Sequence, residues 1–126
     1  MTKEQQIYKC EICGNIVEVV RSGKGQLVCC GQPMALLEEN TTDAAREKHV
    51  PELKQNGKQL TVKVGSTPHP MAETHFIEWI ELIAKDRVEC HRLTPGNAPE
   101  TTFDFEGTSA VVRAYCNLHG LWKTLW

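Results

Sequence analysis

The chain has 126 residues, enough for one domain, or for one domain with a small module attached. Apolar residues make up 40%, charged residues 24%, and the formal charge is -2. These values exclude disorder, collagen and coiled coil for the whole, and they leave no basic footprint for nucleic acid or an anionic membrane surface. No apolar run approaches the ~20 residues that span a bilayer. The opening MTKEQQ has no apolar signal region, so a cytoplasmic chain is expected. Six cysteines and five histidines are many for such a chain. In a reducing compartment they point to metal ligation or catalysis before disulfides.

Residues 1–37 hold too few apolar side chains for a core of their own. A module below ~40 residues usually needs a metal, disulfides or a partner chain. Cys10-Glu11-Ile12-Cys13-Gly14 is a C-x-x-C-G knuckle, whose two thiolates can hold one ion across a tight turn. Gly14 permits the left-handed backbone that turns amides toward sulfur. The partner pair is Cys29-Cys30-Gly31, after a spacer of 15 residues. Neighbouring cysteines on an extended chain point to opposite sides. Both must bend inward to share an ion, which predicts a distorted tetrahedron. Zinc and iron both suit four thiolates, and a pair of disulfides is the remaining rival.

Residues 38–48 are polar and read as a linker, in which Asp43 to Lys48 can form a turn of helix. Residues 49–126 read as β. Leu60-Thr61-Val62-Lys63-Val64 alternates cleanly. His75 to Ala84 also suits a helix, but Lys85-Asp86 turns directly into Val88 to Leu93, which favours a hairpin. Residues 94–99 form a loop by their turn residues. Phe103 and Phe105 flank Asp104 in a further strand, followed by Val111, Val112 and Tyr115, then Leu121 to Leu125. About seven short strands at this spacing predict an all-β, immunoglobulin-like sandwich behind the small cysteine module.

No histidine precedes position 49, and four of the six cysteines lie before position 31. Two separate sites in two segments are therefore expected. Cys116-Asn117-Leu118-His119-Gly120 can chelate a metal from a loop between strands. His69 and His75 lie six apart, with two prolines stiffening the approach to His69. His49 stands at the exit of the linker. His49, His69, His75, His119 and Cys116 would supply four nitrogens and one thiolate and leave one octahedral position open. That set favours redox-active iron over zinc. Cys90 and His91 compete for these roles. They are adjacent on a predicted strand and face opposite ways, so Cys90 is expected to be buried and His91 exposed.

As a set, these residues resemble desulfoferrodoxin, the two-iron class of superoxide reductase. The resemblance covers the whole chain and rests most on the vicinal cysteine pair and the C-N-L-H-G step. It implies a desulforedoxin-like module over residues 1–37, with iron on Cys10, Cys13, Cys29 and Cys30. After the linker of residues 38–48 it implies a catalytic sandwich over residues 49–126. There His49, His69, His75 and His119 would ring a second iron, with Cys116 as its axial ligand. One position departs from the pattern. Family members often carry an acid two residues before the ligand cysteine, where this chain has Ala114; its loss would alter the surroundings of the Cys116 sulfur.

The implied reaction is one-electron reduction of superoxide to hydrogen peroxide, without dioxygen release. Lys48 would offer positive charge to the incoming anion, and such steering raises association rates by roughly 10–1,000-fold. Glu47 would close the sixth position of the oxidised site afterwards. The resemblance also implies a cytoplasmic homodimer fed by a rubredoxin-type or other reductase. The rival reading is a rubredoxin-like electron carrier with a non-catalytic second metal site.

Overall fold

Among the residues described by the computed structural model, 1–42 and 48–126, every regular element is a strand. No helix there is long and apolar enough to cross a membrane. The helical turn expected over Asp43 to Lys48 therefore lies almost wholly outside the described residues, and Glu47 lies outside them as well. The chain divides into two compact units, Met1–Glu38 and Glu39–Trp126.

In the first unit, β1 (Ile7–Lys9) is flanked by β2 (Ile16–Glu18) and β5 (Ala35–Leu36), both antiparallel to it. A second hairpin joins β3 (Val28–Cys29) to β4 (Gln32–Pro33). Its apolar interior is thin. Ile7, Cys10 and Val19 are buried, while Ile12, Val17, Val20, Val28 and Leu36 remain exposed. Burial on this scale leaves little to offset chain entropy, as the composition of residues 1–37 predicts.

The second unit stacks two sheets. The larger runs β10 (Arg87–Arg92), β9 (Ile77–Ala84), β12 (Val111–Cys116), β13 (Gly120–Leu125) and β6 (Glu39–Asn40) in spatial order. The smaller runs β11 (Glu100–Asp104), β8 (Gln59–Val64) and β7 (Pro51–Asn56). Leu60, Val62 and Val64 of β8 alternate inward against Ile80, Leu82, Phe103, Val112 and Ala114, all fully buried. Burying each larger side chain of this set is worth about 1.5–3 kcal/mol. The strand expected over His75 to Ala84 is present as β9, and Lys85-Asp86 is the turn into β10.

Two local expectations are corrected. Glu39 and Asn40, read as linker, form β6, a parallel addition to β13. Their polarity is no obstacle, because Glu39 accepts an ion pair from Arg113 at 3.1 Å and another from Lys123 at 3.1 Å. On β10 the faces are the reverse of those expected. Cys90 is exposed, whereas His91 is half-buried. The His91 ring stacks on Phe103 with centroids 4.2 Å apart and hydrogen-bonds Thr101 through Nδ1. The alternation was right and its phase was wrong, since the phase is set by the facing sheet.

Candidate metal centre

The first donor set is built by two turns. After β1, Cys10 accepts a hydrogen bond at its carbonyl from the Gly14 amide at 2.9 Å, with Gly14 at φ 86°. The Cys13 amide points at the Cys10 sulfur, 3.5 Å away. That contact, ahead of all others, lowers the Cys10 thiol to about 6. The second turn explains how neighbouring cysteines converge. Cys29 ends β3, and Cys30 and Gly31 form the two-residue hairpin turn with φ 54° and 77°. Two left-handed residues in succession define the primed turn that suits a hairpin. Cys30 therefore leaves the strand alternation and swings its sulfur to the side of Cys29. A non-glycine residue held there costs about 1–3 kcal/mol.

Cys13 Sγ lies 3.6 Å from Cys29 Sγ, and Cys29 Sγ lies 3.9 Å from Cys30 Sγ. Four thiolates at ~2.3 Å from a common ion sit about 3.8 Å apart, so the spacing fits a tetrahedral ion. Crowding of the sulfurs raises the Cys29 thiol, through Cys13 first, and pushes Cys30 up to about 12, again through Cys13 first.

The second set gathers at one end of the sandwich. His49 precedes β7, His69 and His75 lie on the segment entering β9, and Cys116 and His119 flank the β12–β13 turn. The five donor atoms lie within 4.8 Å of one another. Donors on opposite sides of an ion with ~2.1 Å bonds are about 4.2 Å apart, so one ion can be shared. The imidazoles close into a square. Ring centroids are 4.6 Å apart for His49–His69, 4.9 Å for His69–His75, 5.1 Å for His75–His119 and 4.9 Å for His119–His49. Neighbouring rings are inclined at 62° to 83°. Cys116 is fully buried in the core cluster, with its Sγ 3.8 Å from His119 Nδ1 and within 4.8 Å of the other donor atoms.

Surrounding groups orient the rings. The Pro70 carbonyl can only accept, so His69 Nδ1 carries the proton in their 2.8 Å contact and Nε2 is left for a metal. His49 stacks on Trp122 at 4.7 Å and 15°, and Trp122 Nε1 donates to the His119 carbonyl at 3.1 Å. Sequence reasoning missed Trp122, although it stands three residues after His119. It also gave Asn117 no role. The Asn117 side chain accepts from the Phe76 amide at 2.9 Å and donates to the Thr74 carbonyl at 3.0 Å.

Other candidates fall as follows. Lys48 adjoins His49 and its backbone passes closely over Gly65. Ala114 is fully buried and shares the inward face of β12 with Cys116, so an acid there would lie in the apolar core beside the sulfur. Cys90 and His91 lie outside both donor sets.

Both parts of the chain match known families. Residues 2–37 match the family described as "Desulfoferrodoxin, N-terminal domain", and residues 41–125 match "Desulfoferrodoxin". A desulfoferrodoxin of Syntrophotalea carbinolica is 55% identical over 124 residues, 98% of each chain. A superoxide reductase of Pyrococcus horikoshii is 34% identical over 96 residues, covering 61% of this chain and 84% of its own. The crystal structure of the superoxide reductase from Treponema pallidum superposes with a TM-score of 0.81 at 26% identity, over 98% of this chain and 99% of that one. The chain belongs to the desulfoferrodoxin family.

Proposed function

We propose that this chain is a two-iron superoxide reductase. It adds one electron and two protons to superoxide and gives hydrogen peroxide, with no dioxygen. The observation that carries the reading is the closed square of four imidazoles with a buried thiolate within 4.8 Å of their donor atoms. Family membership and the likeness to named superoxide reductases support it.

Cys10, Cys13, Cys29 and Cys30 would hold the first iron, and His49, His69, His75, Cys116 and His119 would hold the second. When bound, the second iron supplies the single electron and an open coordination position. The buried Cys116 thiolate donates electron density toward it, as a cysteine ligand does in haem sites. Four neutral imidazoles and one thiolate leave a divalent centre close to +1, which suits a small anionic substrate. Lys48, beside His49, adds positive charge for the encounter. Glu47 would supply a carboxylate to the oxidised site, as the family resemblance implies.

The electron donor is a rubredoxin-type protein or another reductase. The exposed apolar side chains of the first unit support a homodimer, and cysteines segregated into two metal-donor sets suit a reducing compartment such as the cytoplasm. A rubredoxin-like carrier would leave the second donor set without a task.

The test is stoichiometry. Purified protein should carry two irons per chain and, with a donor present, turn each superoxide into one peroxide with no dioxygen. Dioxygen at half the superoxide consumed, without any donor, would make it a dismutase instead.

A further inference from the structure

We infer that Asn117 is a positioning residue, latching His75 to the loop that carries Cys116 and His119. The inference rests on the reading of those side chains as ligands of the second iron.

His75 depends on a short segment. It closes a four-residue turn in which the Ala72 amide donates to the His75 carbonyl at 3.0 Å and the His75 amide donates back at 3.1 Å. The residue is only half-buried. Asn117 reaches across from the β12–β13 turn and grips the peptide groups on both sides of this histidine. The Phe76 amide donates to Oδ1 at 2.9 Å, and Nδ2 donates to the Thr74 carbonyl at 3.0 Å. The Asn117 backbone amide adds a third bond, to the Phe76 carbonyl at 3.3 Å.

The orientation of the carboxamide is forced. A carbonyl only accepts and an amide N–H only donates, so Oδ1 must face Phe76 and Nδ2 must face Thr74. Aspartate is nearly isosteric, yet it would set an oxygen against the Thr74 carbonyl. Alanine would remove both side-chain bonds. No other side-chain type of this length serves both partners at once.

Position matters as much as chemistry. Cys116 and His119 enclose only Asn117 and Leu118. Holding the Asn117 side chain therefore holds the loop between the thiolate and an imidazole. The His75–His119 edge is the widest of the four, at 5.1 Å. It is the edge that an unlatched segment would open.

The test uses the full chain with both irons, so that the first iron serves as a reference within each molecule. Release to a ferrous chelator is followed from the reduced protein, and loss of the first iron is tracked by its own thiolate absorption. Removing a group that orients a metal ligand typically costs 10–100-fold in affinity. Asn117→Ala should release the second iron 10–100 times faster and shift the thiolate band of the oxidised second site. Release of the first iron should not change. Asn117→Asp, which keeps the Phe76 bond, should also release the second iron faster than the parent. It decides the matter alone if the alanine variant does not fold. Parental release and an unmoved band would overturn the inference, as would equal acceleration at both irons. A parent that binds no second iron would overturn the reading of the site along with it. A parental second iron indifferent to position 117 overturns the latch alone.

Discussion

Gly65 has a φ of 87°, and a Cβ added there would strike the Lys48 carbonyl, meet the Thr67 oxygen at 2.6 Å and meet the Lys48 Cβ at 2.9 Å. Two of these obstacles are backbone atoms and cannot rotate away. Gly65→Ala should therefore destabilise the protein by about 1–3 kcal/mol, read from urea unfolding. It should also displace Lys48 and slow the encounter with superoxide. Lys48→Ile separates the two effects, because it removes the charge and leaves the backbone path alone. We expect normal unfolding, a slower second-order reaction and a flatter salt dependence, since screening acts over ~10 Å at 0.1 M. Stopped-flow mixing at two salt concentrations measures both. A parental rate and salt slope in Lys48→Ile would return Lys48 to the role of a solvated side chain. Sequence could flag Lys48 by its neighbour His49. It could not flag Gly65, whose need appears only when residues 17 positions upstream fold over it.

The strands differ in how far the sequence announces them. Leu60 to Val64 is legible because its outward positions are polar and its inward ones apolar. β12 was placed by Val111, Val112 and Tyr115, but its burial on both faces was not legible, because Arg113 and Tyr115 are buried on the face away from the core cluster. Arg113 Nε donates to Glu81 Oε1 at 2.8 Å, and both side chains are 2% exposed. A buried charge in the middle of a strand gives no signal until its partner, 32 residues away, is known. β6 was missed because its polar Glu39 is explained only by that network, which it completes. Breaking such a pair leaves an uncompensated buried charge. Arg113→Met should cost roughly 3–5 kcal/mol by denaturant unfolding, and adding Glu81→Leu should restore much of the loss. If the double variant is no better than the single, the pair is not an energetic unit. The vicinal cysteines mark another limit. Their spacing announced convergence, but not that Cys30 would reach it through a left-handed turn.

On the scale of the molecule, the two donor sets draw on separate units and share no residue. Cys13→Ser should therefore remove the first iron and its absorption, while superoxide reduction by pre-reduced protein continues nearly unchanged. Metal analysis with single-turnover mixing checks this, and loss of both irons would refute it. The segregation of four cysteines before position 31 from all five histidines after position 48 makes this division readable in the bare sequence. What could not be read is the square itself. Four histidines spread over 71 residues (49 to 119) specify no geometry until two sheets bring their ends together.

The order of the donors along the chain has a consequence during synthesis. The first set is complete once Cys30 has been made, but the second waits for His119, 89 residues later (119 − 30). At ~5–20 residues per second, that interval lasts about 4 to 18 s. The small module can therefore capture its iron while the rest of the chain is still on the ribosome. The second iron can enter only after His119 has been made. Chains stalled before His119 would carry one iron and no activity toward superoxide, and their colour would report the first site alone.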